Sequence, residues 1–196
     1  MSRNGGTRAT IVDEALRQAS IVGLEGLSLG PLAEALQMSK SGLFAHFKSR
    51  EALQLAVLEA AIERFEGGVL EPALAKSPGA AELTALFKAW LRWIQGPEDF
   101  GGCVFMTMAQ EYDARSGPIR DRLVDFQSAL RKRLEDTIRR GMSDGVFRAD
   151  ADPGQAAFEL HGFALSFQQA THLMGDRRAR RRALGGLQRL IEALAP

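Results

Sequence analysis

The chain is poor in the residues that mark most enzymes and secreted proteins. Its 196 residues include one cysteine, three histidines, one tyrosine and two tryptophans, and its charges nearly cancel to a formal +1. A lone Cys103 excludes an intrachain disulfide and fits a reducing compartment. His46, His161 and His172 include no pair at i,i+3 or i,i+4 spacing, and there is no Gly-rich phosphate loop, HExxH or GxSxG. No enzyme activity, metal or cofactor is therefore expected. No apolar run has bilayer length and the N-terminus lacks an apolar signal-like core, so the expected location is the cytoplasm. Strand-like alternation and internal repeats are also missing. Residues 1–52 carry six Lys/Arg against five Asp/Glu, so attraction to nucleic acid has to come from local placement of charge.

What is present is 45% hydrophobic residue content at helical spacing, in a length suited to one large or two modest domains. The most informative stretch is Leu27 to Leu53, LSLGPLAEALQMSKSGLFAHFKSREAL. Ser28 is a candidate N-cap for a helix over about 29–36, with Pro31 in its first turn, where a missing N–H matters little. Gln37-Met38 makes a turn. Ser39 caps a second helix over about 40–47 and Ser49 caps a third from Arg50 onward. Short helices so tightly joined must pack at steep angles, which is helix-turn-helix geometry. On the second helix Leu43 and Phe47 share the inner face, and Leu24, Leu27, Leu32 and Leu36 complete a small core. Ser41, Gly42 and Ala45 face outward, with Lys40 at the tip and Phe44 and His46 on the flanks. A solvated helix would carry Glu and Lys there; small side chains led by a cation suit close approach to a major groove.

The stretch MSKSGLFAHFKSREAL resembles the DNA-reading segment of tetracycline-repressor-type (TetR) transcriptional regulators, roughly V-S-x-G-T-L-Y-x-H-F-x-S-K-E-x-L. Ser39, Leu43, His46, Phe47, Ser49, Glu51 and Leu53 fall in register, and the likeness extends back to about Thr10. Gly42 stands where the family often has Thr, Phe44 where Tyr usually offers a hydroxyl, Gly30 for a frequent polar residue, and Gln37 for the turn Gly. The resemblance implies an all-α protein: a helix-turn-helix DNA-binding domain over 1–50, a linking helix over about 50–66, and a ligand-binding and dimerisation domain over 67–196. Lys40 and Ser41 are then the expected base-edge contacts, with Ala45 near a thymine methyl. Gly42 permits close approach. Ser28, Ser39, Phe44, His46, Lys48 and the N–H groups after Ser49 are expected to face phosphates.

Elsewhere the spacing predicts a first helix over about 7–22, preceded by a polar segment in which Arg3 and Arg8 form either an arm or a frayed end. Gly67 to Gly79 holds glycines and prolines suited to a domain boundary. Helices follow at about 80–95, 102–115, 118–140, 153–174 and 177–195, with Asp152-Pro153 a marked N-cap and N1 pair.

Trp90, Trp93, Phe105, Met106, Phe126, Phe163 and Phe167 are core residues that also suit an apolar cavity between helices, with His161 available to orient a ligand. Cys103, after two glycines, reads either as a buried inert thiol or as one activated at a helix start. Leu184, Leu187 and Ile191 stripe the last helix, and Ala164, Leu165 and Gln168 offer a close-packing side of the preceding one. The resemblance implies that these two helices form a dimer interface; packing within one chain is the alternative. The Arg177–Arg182 run reads as a solvated first turn. The expected function is a homodimeric, effector-responsive repressor on a pseudo-palindromic DNA operator. The rival expectation is a ligand-binding or Cys103-reactive sensor module that does not use its helix-turn-helix for sequence-specific binding.

Overall fold

The protein, seen in a computed structural model that describes residues 3–97 and 100–196 and only the backbone of 3–6, is built from helices, with no strand among the described residues. The helices are α1 (Arg3–Gly26), α2 (Leu29–Ala35), α3 (Lys40–Phe44), α4 (Arg50–Phe65), α5 (Glu71–Leu74), α6 (Ala80–Gln95), α7 (Val104–Tyr112), α8 (Pro118–Ser143), α9 (Pro153–Gln168) and α10 (Ala179–Leu194). Single wide turns of π type, Glu66–Leu70 and Gln169–Leu173, continue α4 and α9. Backbone helix starts already at Arg3, earlier than the spacing suggests; Met1, Ser2 and the Arg3 side chain of the expected arm lie outside the described residues. None of the helices, among the described residues, is long and apolar enough to cross a membrane.

Two compact units result. The first gathers the described residues up to Arg64 with those of Gly96–Val124, and the second gathers Phe65–Gln95 and Asp125–Pro196. In this grouping α7 and the start of α8 go with the N-terminal helices. The bonds responsible join residues 81 and 87 apart, the Gly101 N–H donating to Ser20 Oγ (3.0 Å) and the Leu24 N–H to Glu111 Oε2 (2.9 Å).

In the first unit α1 buries Ile11, Ala15, Leu16 and Ala19 at helical spacing. Leu27, Leu32, Leu43 and Phe47 close the small core, while Leu36 stays half-exposed. α1 is broken at Gly23, whose φ of 76° and ψ of 171° are not helical. A β-carbon there would sit 1.8 Å from the Glu111 carboxylate, so the position suits only glycine.

In the second unit α6 buries Leu83, Leu86, Phe87, Trp90, Leu91 and Ile94. From α8 come Phe126, Leu130, Leu134 and Ile138. Asp152 caps α9 as its sequence suggests, accepting from the N–H groups of Gly154 (2.9 Å) and Gln155 (3.1 Å). α10 lies close against α9, the Phe163 ring only 3.2 Å from where a β-carbon on Gly186 would sit. Glu82, buried in α6, is held by Arg140 (2.7 Å) and the Thr137 hydroxyl (3.0 Å) of α8, which a buried carboxylate requires.

His161 on α9 meets the Trp90 ring edge-on at 5.5 Å. Desolvation there holds its imidazole below the ordinary value of 6.5. The unfolded chain then binds the proton more readily, so the stabilising preference for neutral imidazole is full above 6.5 and is lost as pH falls through the lowered folded value. The melting temperature should drop as pH falls from 7 to about 5, with a shallower drop in His161→Phe. Parallel pH profiles of the two proteins in thermal melts would show that His161 does not carry the effect.

Candidate nucleic-acid interface

The candidate surface belongs to the first unit and is built from local capping chemistry. α2 follows Ser28, whose extended backbone (φ −117°, ψ 136°) is that of an N-cap but whose exposed hydroxyl makes no capping bond. α2 ends in a left-handed turn: Gln37 has φ 53°, its N–H donates to the Glu34 carbonyl (3.0 Å) and the Met38 N–H donates to the Ala33 carbonyl (2.9 Å). This is the closure that glycine usually makes, carried here by a residue with a β-carbon.

Ser39 caps α3 by accepting from the Gly42 N–H (3.0 Å), and its oxygen lies 3.1 Å from Ser41 Oγ. α3 proper stops at Phe44. The expected last turn is tightened, with His46 N–H donating to Leu43 O (3.1 Å) and Phe47 N–H to Phe44 O (3.2 Å). Leu43 (0% exposed) and Phe47 (4%) anchor the helix inward, and the Arg8 guanidinium stands 5.0 Å over the Phe47 ring. Lys40, Ser41, Phe44, Ala45, Lys48 and Ser49 are exposed; Gly42 and His46 are half-buried. Among the described residues neither Lys40 nor Lys48 has an acidic partner within ion-pair distance. The Lys40 side chain runs past Gly30, its Nζ 3.8 Å from where a β-carbon would stand. At Gly42 a β-carbon would come within 3.1 Å of the Ser39 hydroxyl, so the small residue protects the cap.

Ser49 then caps α4, accepting from the Ala52 N–H at 3.0 Å. Arg50, first residue of α4, stands beside this cap and is exposed. Sequence reading did not place Arg50 in the site; its position immediately after a capping serine was the available signal. Lys40, Lys48, Arg50 and the first backbone N–H groups of α4, ahead of those bonded to Ser49, thus flank a short, nearly uncharged helix face, with Glu51 on the same first turn of α4.

The other expected site residues are found in both units. In the second unit Phe65 is an aromatic hub that sequence reading missed, because it sits at the last turn before Gly67-Gly68. It meets Trp90 (6.2 Å), Trp93 (5.4 Å) and Phe126 (5.6 Å) edge-on. Phe163 and Phe167 line a pocket of about 140 Å³ with Ser166, Ala170, Ala179, Arg182 and Ala183, and Arg182 is ion-paired with Asp176. Cys103, Phe105 and Met106 are buried and belong to the first unit. Cys103 stands at the N-cap position of α7 and is buried, 1% exposed. On the two last helices Ala164 and Leu187 are buried within the chain, Gln168, Leu184 and Ile191 are half-buried, and Leu165 (47% exposed) lies on the outer face with Phe158 (73%). Among the described residues no group of three or more His, Cys, Asp or Glu side chains could hold a metal ion.

Two family models match the chain: bacterial regulatory proteins of the tetR family over residues 11–57, and the tetracyclin repressor-like C-terminal domain over residues 79–187. No curated protein matches it in sequence. Among solved structures it is similar to a TetR-family regulator from Cytophaga hutchinsonii (21% identity, 100% of this chain and 98% of that one, TM-score 0.87). A TetR regulator from Chloroflexus aurantiacus J-10-FL is similar at 20% identity, over 98% and 96% of the two chains, with a TM-score of 0.86. AibR, crystallised with isovaleryl coenzyme A and operator DNA, is similar at 22% identity over 94% and 97%, with a TM-score of 0.75. At these identities the likeness is one of fold.

The left-handed backbone at Gln37 costs roughly 1 kcal/mol that glycine would avoid, partly offset by glycine's freer unfolded chain. Gln37→Gly is expected to stabilise the protein by about 0.5 kcal/mol, read as a higher denaturant midpoint at unchanged slope. A lower midpoint would mean that the Gln37 side chain makes stabilising contacts.

Proposed function

Because this chain belongs to the tetracycline-repressor-like family of bacterial regulatory proteins, we propose that it is a homodimeric repressor released from its operator by a small, largely apolar effector. The observation that carries the reading is α3: exposed, five residues long, small-faced, and tipped by a lysine with no acidic partner among the described residues. Two such helices in a dimer would enter successive major grooves about 34–36 Å apart, so the operator should be a pseudo-palindrome. Lys40 and Ser41 would meet base edges and Ala45 a thymine methyl. Ser28, Phe44, His46, Lys48 and the start of α4 would lie along phosphates. The reading places the protein in the cytoplasm, with its DNA.

The aromatic cluster of the second unit is the proposed effector seat. Phe163 and Phe167, also of the expected ligand set, line the pocket of about 140 Å³ between α9 and α10, small beside ordinary ligand pockets of about 300–1,000 Å³, so an effector seated in either place would have to part side chains to enter. Gln127 Oε1, beside Phe126 in sequence, is buried without a hydrogen-bond partner among the described residues and favours an effector that brings a donor. The crystal structure of AibR with an acyl thioester and operator DNA supports a fold of this kind serving both ligands. α4 and α8 each have residues in both units, which suits them to carry the signal. Coupling requires that the effector bind more tightly to the arrangement that disfavours DNA.

Phe158 and Leu165, seven residues apart on the outer face of α9, are the proposed centre of the dimer contact, with Gln168, Leu184 and Ile191 beside them. Large exposed apolar side chains in such a row call for a partner.

Two outcomes are expected. Lys40→Ala should weaken binding to a selected operator roughly tenfold or more and leave the sedimentation coefficient unchanged; equal affinity across a range of salt would remove Lys40 from the reading surface. Leu165→Arg, at an exposed position that leaves the core intact, should sediment as a folded monomer with poor operator binding. An undisturbed dimer would move the interface elsewhere.

A further inference from the structure

The end of α7 reaches one charged cluster in the first unit. Glu25, two residues beyond the break in α1, accepts a hydrogen bond from the Tyr112 hydroxyl at Oε1 (2.7 Å), with Gln54 Nε2 at 3.5 Å from the same atom. Its other oxygen pairs with Arg115 Nη1 (3.1 Å). Arg50 Nη2 stands farther off, 3.8 Å from that oxygen, and donates instead to the Glu25 backbone carbonyl. Glu111, the remaining carboxylate nearby, is engaged by the Leu24 N–H. The Arg50 side chain is 47% exposed.

This arrangement decides what Arg50 can offer. A carboxylate with both oxygens open grips a guanidinium in a planar two-bonded fork and neutralises it. Here the tyrosine hydroxyl takes one oxygen and the second arginine takes the other. Arg50 is left pinned by an uncharged carbonyl, with only a long 3.8 Å pairing to the Glu25 carboxylate, in a cluster where Glu111 and, on the first turn of α4, Glu51 are the other acidic residues. We propose that Tyr112 and Arg115 are positioning residues for DNA binding: by occupying the Glu25 carboxylate they keep the Arg50 guanidinium available to a backbone phosphate. The hydrogen bond from Tyr112, more than any other contact, holds the Glu25 carboxyl below its ordinary value, so the competitor stays charged.

The inference rests on the DNA-binding reading and is tested in the full-length protein. The probe is a fluorescein-labelled duplex selected from a random pool by the wild type, titrated by anisotropy at several salt concentrations. The slope of log K against log salt counts phosphates neutralised, about 0.9 for each. Arg50→Gln should reduce the slope by about 1.8 for a dimer, one phosphate per protomer. Tyr112→Phe should move the slope in the same direction and lower affinity roughly five- to twentyfold at moderate salt. Tyr112→Phe with Glu25→Gln, which removes the competing charge, should restore both.

Arg115→Gln, at an exposed side chain, should repeat the loss and likewise be rescued by Glu25→Gln. Wild-type slope and affinity in Tyr112→Phe and Arg115→Gln would overturn the proposal. So would weakened binding at unchanged slope with no rescue by Glu25→Gln, the mark of a purely structural role. If the wild type selects no duplex, it is the DNA-binding reading that fails. If Arg50→Gln lowers the slope while the other two variants do not, only the positioning role fails.

Discussion

A helix that stops short leaves backbone donors and acceptors that must be satisfied, and the first unit is arranged around one such stop. Gly23 turns the end of α1 out of helical geometry. The N–H of Leu24 is then taken by Glu111 and its carbonyl by the buried Gln54 side chain, at 2.8 Å. Burying either group without a partner costs about 1–3 kcal/mol, so the break holds only because α7 and α4 supply those partners. The residues that follow the break lead directly into the capping serines, the short α3 and the first turn of α4. The placing of the exposed face thus depends on hydrogen bonds made well away from it.

That face works by subtraction. Net charge on the chain is near zero, yet Lys40, Lys48 and Arg50 gather around a helix whose outer side chains are a serine, a glycine and an alanine. In the proposed reading the missing bulk permits approach to a duplex and the few cations give it direction. Gly42, where the family often carries threonine, leaves the Ser39 cap uncrowded. Phe44 offers an apolar edge where a phenol would have offered a hydroxyl. In the proposed reading such a surface relies on shape and phosphate contact more than on a dense set of base-edge hydrogen bonds.

Local chemistry was legible and long-range partnership was not. Ser39, Ser49 and Asp152 cap the helices their positions announce, because a cap bond spans two or three residues and is written in the adjacent sequence. The end of the first helix near residue 22 and the turn at Gln37 were legible for the same reason. The contraction of α3 to five residues was not, since a tightened last turn keeps the same apolar spacing as a helix. Ser28 looks like a cap and makes no such bond. On α10 an apolar stripe shows that something covers it without showing what, and Leu187 turns out to be covered by its own chain. Phe65 went unnoticed as a hub, and the grouping of α7 with the N-terminal helices was not legible either, because bonds between positions 81 or 87 apart leave no local trace.

The divided make-up of the first unit bears on transplantation. Regulators of this architecture invite the exchange of reading heads by a single splice after the helix-turn-helix. In this protein a graft of residues 1–66 onto a foreign C-terminal body would bring Gly23 without Glu111, Ser20 without Gly101 and Glu25 without Tyr112. A chimera that keeps its shape has to carry the segment 96–124 with the head, as a second piece cut from the middle of the chain.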